Sequence, residues 1–415
     1  MIKKLLILLF VLNLSASIAY ADWTLPEVVG MAKNNNPEIL AAKNRWQSSR
    51  AEVAKNYFLV DPKFGIEYEK IPSPSFSPTN ATMKKLTFSQ DIPFPAKLYY
   101  EGLAASSRAD MYYQQYIGTE RVIIKDLKKA YYNIYKIDKM IDLLKVDIGF
   151  LRQIFEVSKS NYIIGKRRQS DVIKIQVELS KMENELTNIR NERFVFQKQI
   201  YLLLNSTQEV DIAAPDIKLI DFMIDYVKAR DIAINNSTRI LEEKAAENEA
   251  SAMKSLGYLS YAPDIMAKFK KQEFGDMPGS RDIMLEATIP LWFPIRQRSI
   301  VSSSSLQYEF QKAKVDYVKN QVAFDSKDLT TNINNLSRTS RLYKNNFIPS
   351  YSGLIASSIA GYSSGKVDFI DILDSQRSYV QLNTEYYNYV AQLYTKLAEL
   401  EEIIGENAMN EVIVK

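Results

Sequence analysis

Apolar residues recur every three or four positions over long stretches of the chain. Residues 97–165 contain no proline, and the spacing there is carried by the series Ile123, Leu127, Ala130, Ile134, Ile137 and Ile141. This spacing places the apolar side chains on one face of an α-helix. Such a helix would be about 100 Å long. That length indicates a coiled coil or a helical tube rather than the core of a globular domain.

The same pattern occurs a second time, over residues 296–362. A glycine follows each stretch, at Gly165 and Gly365, and a second helix is predicted after each glycine, to about Leu204 and about Ile404. Glycine at these positions ends a helix in a left-handed conformation. The pattern therefore predicts two long helical hairpins.

Four shorter segments alternate apolar and polar residues, as a half-buried strand does. They lie at residues 64–69, 86–89, 265–270 and 283–289. Within each pair the strands are separated by a loop rich in turn-forming residues, at residues 72–80 and 275–279. Helices are also predicted ahead of each pair, at about residues 26–58 and 222–257. Each half of the chain thus reads helix, strand, loop, strand, long helix, tight turn, helix.

The two halves are also related in sequence. The segment from Tyr162 through Gly165 and Lys166 recurs 200 residues later from Tyr362 through Gly365 and Lys366. The register is then held by further pairs: Asp171 and Asp371, Gln176 and Gln376, Glu185 and Glu385, Asn188 and Asn388. A unit of this length is too long for a small solenoid repeat. We predict two equivalent repeats, at residues 22–215 and 216–415.

The first 21 residues have the pattern of a secretory signal peptide. Lys3 and Lys4 precede an apolar run, which is followed by Ala19 and Ala21 in an A-x-A arrangement. The apolar run is too short for a retained membrane-spanning helix. We therefore predict a signal peptide at residues 1–21, cleaved after Ala21.

Composition removes most catalytic functions. The chain contains no cysteine and no histidine, which excludes histidine-dependent nucleophiles and metal sites built on imidazole or thiolate. No phosphate-binding loop or dinucleotide fingerprint is present. With 53 basic and 49 acidic residues, the near-neutral charge does not favour nucleic acid. We predict no enzyme activity, no catalytic residues, no metal site and no cofactor.

Four strands cannot form a closed sheet by themselves, and a sheet in lipid has to close. Three chains would supply twelve strands, an even number within the range of outer-membrane barrels. The apolar face of each strand would then meet lipid and the polar face would line an aqueous lumen. The alternative is a soluble core covered by the strands, with an ordinary helix bundle.

The chain resembles the TolC family of outer-membrane channel proteins over essentially all of the sequence after the signal peptide. The resemblance is carried by the two turns, residues 162–176 and 361–374, by residues 36–40 and by residues 90–97. The last segment, with Pro95, Ala96 and Lys97, is similar to the heavy-metal efflux branch. The resemblance implies a mainly α protein with a small β part, forming a trimeric α-helical barrel capped by a 12-stranded β-barrel.

The family also implies function and partners. It implies a homotrimeric duct in the outer membrane that extends into the periplasm and works with a periplasmic adaptor and an inner-membrane transporter. The hypothesis from another class is a periplasmic coiled-coil adaptor or structural protein without a pore. The doubled hairpin and the paired strands argue against that alternative.

By resemblance, Asp371 and Asp374 match carboxylates that ring the narrow periplasmic end of the duct. Such rings would favour cations; the alternative is that both residues simply complement a helix dipole. Tyr362 and Asp171 match positions that tie neighbouring hairpins together, although Tyr362 could instead be a packed interface aromatic. The family has an arginine where this chain has Val367, and a lysine does not replace a forked arginine.

The two turns are the remaining candidate site. In the family they are where adaptor tips dock, and here they comprise Gly165, Lys166, Arg167, Arg168, Gly365 and Lys366. The first turn is basic and is predicted to be exposed. It is either a docking surface or a solvated turn.

Overall fold

The computed structural model describes residues 23–166, 168–207, 211–212, 217, 223–275, 277–363 and 367–414. The first half contains α1 (Leu25–Asn35), α2 (Pro37–Tyr57), β1 (Lys63–Glu69), β2 (Met83–Ile92), α3 (Pro95–Ile163) and α4 (Gln169–Leu204). The second contains β3 (Met223–Ile224), α5 (Tyr226–Asn236), α6 (Thr238–Leu259), β4 (Ile265–Phe274), β5 (Met277–Ala287), α7 (Arg296–Leu342), α8 (Ile348–Ser363) and α9 (Phe369–Ile404), then α10 (Met409–Val412) and β6 (Ile413–Val414). The predicted mainly helical fold with a small strand part is confirmed. The predicted signal peptide lies outside the described residues.

The long helices form as the apolar spacing predicts. The helix α3 has 69 residues and is therefore about 100 Å long. It turns back at Gly165 into α4, and both α4 and α9 end where the sequence indicates, at Leu204 and Ile404. Among the described residues, no helix combines the length and the apolar character needed to cross a bilayer.

The helix predicted at residues 26–58 is wrong, because the chain forms two helices there. The backbone is extended at Asn36, whose side chain accepts hydrogen bonds from the N–H groups of Glu38 and Ile39 at 2.9 and 3.1 Å. Pro37 has no N–H to continue α1. The second half also breaks at a short polar residue with an extended backbone, Ser237, but the Ser237 side chain makes no capping hydrogen bond. In the first half, the asparagine that caps α2 thus also ends α1.

The long helix predicted over residues 296–362 forms without a break, but it is not α-helical throughout. Its α-helical pattern ends at Leu342, and a π-helical turn, Tyr343–Phe347, separates α7 from α8. Pro349 lies at the start of α8, where it cannot donate to the preceding turn. A π-turn adds one residue to the turn and so changes the register of the helix around this position.

The four strands form one antiparallel sheet in the order β1-β2-β4-β5. The predicted loop at residues 275–279 is shorter than expected, since β5 already begins at Met277. One face is apolar, and a single row across all four strands consists of Phe64, Phe88, Phe269 and Ile283. The opposite face is polar. Its ion pairs are Lys63–Asp91, Lys85–Glu69 and Lys268–Glu286.

Each half has its own apolar core beside the ends of α4 and α9. In the first half α1, α2, α3 and α4 contribute Val28, Ala32, Ile39, Leu127, Ile200 and Leu204. In the second half α5, α6, α7 and α9 contribute Ala229, Ala233, Ile240, Ile333, Leu400 and Ile404. An asparagine at or next to each helix break secures the arrangement: the Nδ2 atoms of Asn36 and Asn236 donate to Leu203 O and Ile404 O at 2.8 and 3.4 Å.

The two halves meet in the middle of the helical layer, which has the order α2-α3-α6-α7. At the junction of helices and sheet, Lys97 Nζ donates to Asp264 Oδ1 at 2.8 Å and to Ala262 O at 3.0 Å. The backbone N–H of Phe94 donates to the same carboxylate oxygen at 2.9 Å. Lys97 of the Pro-Ala-Lys segment therefore joins the start of α3 to the start of β4.

The outer ends of these layers carry exposed apolar residues. On α7 the side chains Leu306, Phe310, Tyr317 and Phe324 are 58–71% exposed and follow one another at intervals of four and seven residues. On β1, at the opposite end of the sheet from β5, Phe64 is 67% exposed. Stripes of this kind on a folded chain mark surfaces that contact lipid or another protein.

Replacing Asn36 with alanine should lower the stability of the protein by about 2 kcal/mol. The change removes the cap of α2 and leaves the carbonyl of Leu203 without its donor. The matched control is Asn56→Ala in the same helix, because Asn56 is half-buried and, in the described structure, donates within its own helix to Glu52 O. Thermal denaturation of both variants measures the difference, and equal midpoints would contradict the structural role of Asn36.

Candidate functional site at the hairpin ends

The ends of the two hairpins pack against each other through an apolar cluster. Leu151 and Ile154 of α3, Ile175 of α4, and Ile372 and Leu373 of α9 are all buried there, and Tyr362 of α8 belongs to the same cluster. The cluster connects residues about 200 positions apart in the chain. The predicted site residues that the structure describes therefore lie beside a fixed contact between the hairpins.

The first turn has the hydrogen bonds of a Schellman motif. Gly165 has φ +72°, its N–H donates to Tyr162 O at 2.9 Å, and the Lys166 N–H donates to Asn161 O at 2.9 Å. A left-handed residue here favours glycine. Gly165, Lys166 and Arg168 are exposed, as predicted, while Arg167 lies outside the described residues.

The second turn is described in part, since Gly365 and Lys366 lie outside the described residues. Tyr362 is 8% exposed, and its hydroxyl lies 3.3 Å from Ser158 Oγ, with either atom able to donate. Asp171, in the first turn of α4, is half-buried. Val367 packs over Gly361, where an added Cβ would lie 2.4 Å from Val367 Cγ2.

Asp371 and Asp374 both lie exposed on the first two turns of α9. The residues between them, Ile372 and Leu373, are buried in the apolar cluster, so the two carboxylates are held on the outer face of the helix. Asp374 Oδ1 lies 3.5 Å from Arg377 Nη1. One of the two predicted charges is thus partly neutralised by a residue that the sequence analysis did not single out.

Arg377 forms a charged link between the two hairpins close to their ends. Its Nε donates to Glu178 Oε1 at 2.9 Å and its Nη2 donates to Glu178 Oε2 at 2.6 Å. Glu178 is 5% exposed. Its hydrogen bonds from Arg377 hold the pKa of the carboxyl below its usual value, although burial acts in the opposite direction. The two hydrogen bonds of this forked pair fix its geometry as well as its charge. Arg377 lies on α9 rather than in the turn before it.

A second carboxylate beside this pair has no cation of its own in the described structure. Asp147 of α3 is 4% exposed and accepts a hydrogen bond from Gln376 Nε2 at 2.7 Å. Burial raises its pKa, and the nearby charge of Glu178 acts in the same direction. Three helices thus meet at two buried carboxylates with opposite pKa shifts.

Sequence reasoning missed this network, although a signal was present. Gln376 is one of the residues that repeat at an interval of 200, and Arg377 follows it directly. Which side chains Gln376 and Arg377 approach could not be predicted, because Asp147 and Glu178 lie in the other half of the chain. In the described part of the chain, no group of three or more carboxylates is placed to hold a metal ion.

Comparison with known proteins identifies the class of this fold. No protein-family model matches the chain. It is 20% identical to the outer membrane protein TolC of Vibrio cholerae, over 99% of this chain and 97% of that protein. It is 22% identical to the cobalt-zinc-cadmium resistance protein CzcC of Cupriavidus metallidurans, over 41% of each chain.

Among solved structures, the outer membrane protein VceC of Vibrio cholerae superimposes with a TM-score of 0.76 at 14% identity. The superposition covers 92% of this chain and 96% of VceC. The chain therefore has the fold of VceC. In sequence it is similar to TolC over nearly the whole length of both proteins.

Exchanging the charges of Glu178 and Arg377 should test how much this pair contributes to the stability of the protein. Glu178→Arg or Arg377→Glu alone brings like charges together in a buried site and should cost about 3–5 kcal/mol. The double exchange should recover at least half of that loss, as a direct interaction requires. Denaturation midpoints of the four proteins give the coupling. Additive losses in the double variant would show that the two residues do not interact.

Asp147→Asn should stabilise the protein at neutral pH and lose this benefit in acid. Because burial raises the pKa of Asp147 in the folded protein, its ionised carboxylate lowers the stability of the fold at neutral pH. This loss of stability disappears as the pH falls and the carboxylate is protonated. We expect a gain of about 2 °C in the denaturation midpoint near pH 7.5 and no gain below about pH 3.5.

The control for this measurement is Asp142→Asn, also on α3. The Asp142 side chain is 69% exposed, and its Oδ1 lies 3.6 Å from Lys145 Nζ. A gain that persists at low pH, or one that is equal in the control, would contradict the assignment to the buried charge of Asp147.

Proposed function

We propose that this protein is the outer-membrane duct of a tripartite efflux or export system. The observation that carries the proposal is the similarity to TolC over nearly the whole of both chains, together with the fold of the outer-membrane channels. Channels of this family are homotrimers that work with an adaptor and an inner-membrane pump. The adaptor-like alternative without a pore has no support from these relatives.

The surface of the protomer supports assembly into a ring. The sheet ends in the unpaired edges of β1 and β5, and the helical layer ends in α2 and α7. A contact between unlike edges is heterologous, and repeated rotation closes it into a ring. Three copies would close a 12-stranded barrel with the apolar face of the sheet toward lipid. The exposed stripe on α7 would then be covered by the neighbouring copy.

The hairpin ends supply the gate in this proposal. Asp371 and Asp374 would form two rings of carboxylates at the periplasmic end, with Tyr362 and Asp171 beside the contact between hairpins. The pair Glu178–Arg377 would hold each protomer in the shut arrangement. The turn residues, Gly165, Lys166, Arg167 and Arg168 with Gly365 and Lys366, would receive the adaptor.

The mature chain, residues 22–415, would be divided into repeats at residues 22–215 and 216–415 after removal of a signal peptide at residues 1–21. Each repeat would then contribute one strand pair to the barrel and one hairpin to the tube. The similarity to CzcC covers less than half of each chain. The proposed function is therefore a duct with no particular substrate assigned to it.

The proposal is tested by single-channel conductance in planar bilayers. The wild type should give a small, cation-selective current, because carboxylate rings attract cations and repel anions. Asp371→Ala/Asp374→Ala should increase the conductance and reduce the cation selectivity about tenfold or more.

The control is Asp231→Ala on α5, which removes an exposed carboxylate paired only with its neighbour Arg230 among the described residues. An unchanged double variant would keep the channel and move the constriction elsewhere. A protein that dissolves without detergent and conducts in none of its forms would overturn the proposed function.

A further inference from the structure

The apolar face of the sheet ends in basic residues toward the hairpin loops. Beyond the row that contains Phe269 and Ile283, the next position on this face is occupied by Lys271 on β4 and Arg281 on β5. Lys84 of β2 lies on the same face one row further, directly opposite Glu273. Three basic side chains and one acidic side chain therefore follow the apolar rows.

Lys271 and Arg281 are direct cross-strand partners. Like charges at directly opposite positions destabilise a sheet. Lys271 is partly compensated by Glu273, whose Oε1 lies 2.7 Å from Lys271 Nζ, and both side chains are nearly half exposed. Arg281 is exposed. This arrangement costs stability unless an anion outside the chain supplies the missing charge.

On the opposite, polar face of the same strands, the lysines lie next to acidic residues. Lys268 lies 3.8 Å from Glu286, and Lys270 is directly opposite Asp282. Lys85 and Glu69 also form an ion pair on that face. Basic residues are thus matched with acidic ones on the polar face, whereas the apolar face sets two basic residues opposite each other.

The basic residues also lie at a defined height along the strands. The register places Ile265 opposite Ala287 at the helical end of the sheet, six residues from Lys271 and Arg281. Six residues of antiparallel strand span about 20 Å. At the helical end the chain continues into an exposed aromatic pair, Trp292 and Phe293. Aromatic residues flank the lipid-facing band of outer-membrane barrels.

We propose that Lys84, Lys271 and Arg281 bind the phosphate groups of the phosphorylated glycolipids in the outer leaflet. The inference rests on the proposed function, which puts this face against lipid and the hairpin loops on the outside of the cell. The three basic residues then lie at the level of the lipid headgroups. An exposed guanidinium beside an ammonium suits a phosphate, which accepts two parallel hydrogen bonds from arginine and attracts lysine as a charge.

Native mass spectrometry of the detergent-solubilised protein, titrated with bis-phosphorylated lipid A, tests the proposal. Each basic residue near a membrane surface contributes about fivefold in affinity for an anionic lipid. The variant Lys271→Gln/Arg281→Gln should therefore bind this lipid about 25-fold more weakly than the wild type. Lipid A from which both phosphates have been removed should bind the wild type as weakly as the variant binds the phosphorylated form.

The matched control is Lys268→Gln/Lys270→Gln, which removes the same net charge from the same sheet but from its polar face. It should bind the phosphorylated lipid as the wild type does. Inorganic phosphate in excess should not displace the lipid, because the acyl chains also contact the apolar rows.

The proposal is overturned if the Lys271/Arg281 variant stays within threefold of the wild type, since a loss of about 25-fold is expected. It is also overturned if the control loses as much, or if the dephosphorylated lipid binds equally well. Conductance recorded on the same preparations separates the two proposals. Normal conductance with unchanged lipid affinity overturns only the lipid site, while absence of conductance and of lipid binding in all proteins overturns the duct as well.

Discussion

The rest of this structure depends on the requirement that a sheet in hydrocarbon leaves no backbone group unpaired. The four-stranded sheet has an apolar face and two open edges, β1 and β5. Each unpaired N–H or C=O in lipid costs several kcal/mol. In the proposed duct these edges are paired by other copies of the chain. The helical layer ends on the same two sides, at α2 and α7, so one rotation between copies would close both layers.

At their ends the two helical hairpins of the protomer are held together by few residues. The helices there are held by a small apolar cluster and by the forked pair of Arg377 and Glu178. Beside this favourable contact lies Asp147, whose buried charge opposes the packing. The attraction between Arg377 and Glu178 is thus opposed by the desolvation of Asp147 nearby. The free energy needed to separate the hairpins is therefore modest.

Charge is distributed differently on the two faces of the sheet. On the polar face the basic residues have acidic partners, as expected where water or a passing substrate meets the wall. On the apolar face Lys271 and Arg281 oppose each other near the hairpin loops. In the proposed duct this difference matches the surroundings of each face, because only the apolar face would border the phosphate groups of the lipid headgroups.

The sequence by itself determined the helical hairpins, the four strands and the turn at Gly165, because periodicity and glycine act within one element. It also indicated the resemblance to the TolC family. The π-turn after Leu342 was not predicted, since it depends on how the helix accommodates Pro349. Only the tertiary structure brought Arg377 to Glu178, because a contact between residues 199 positions apart is decided by the packing of helices from the two halves.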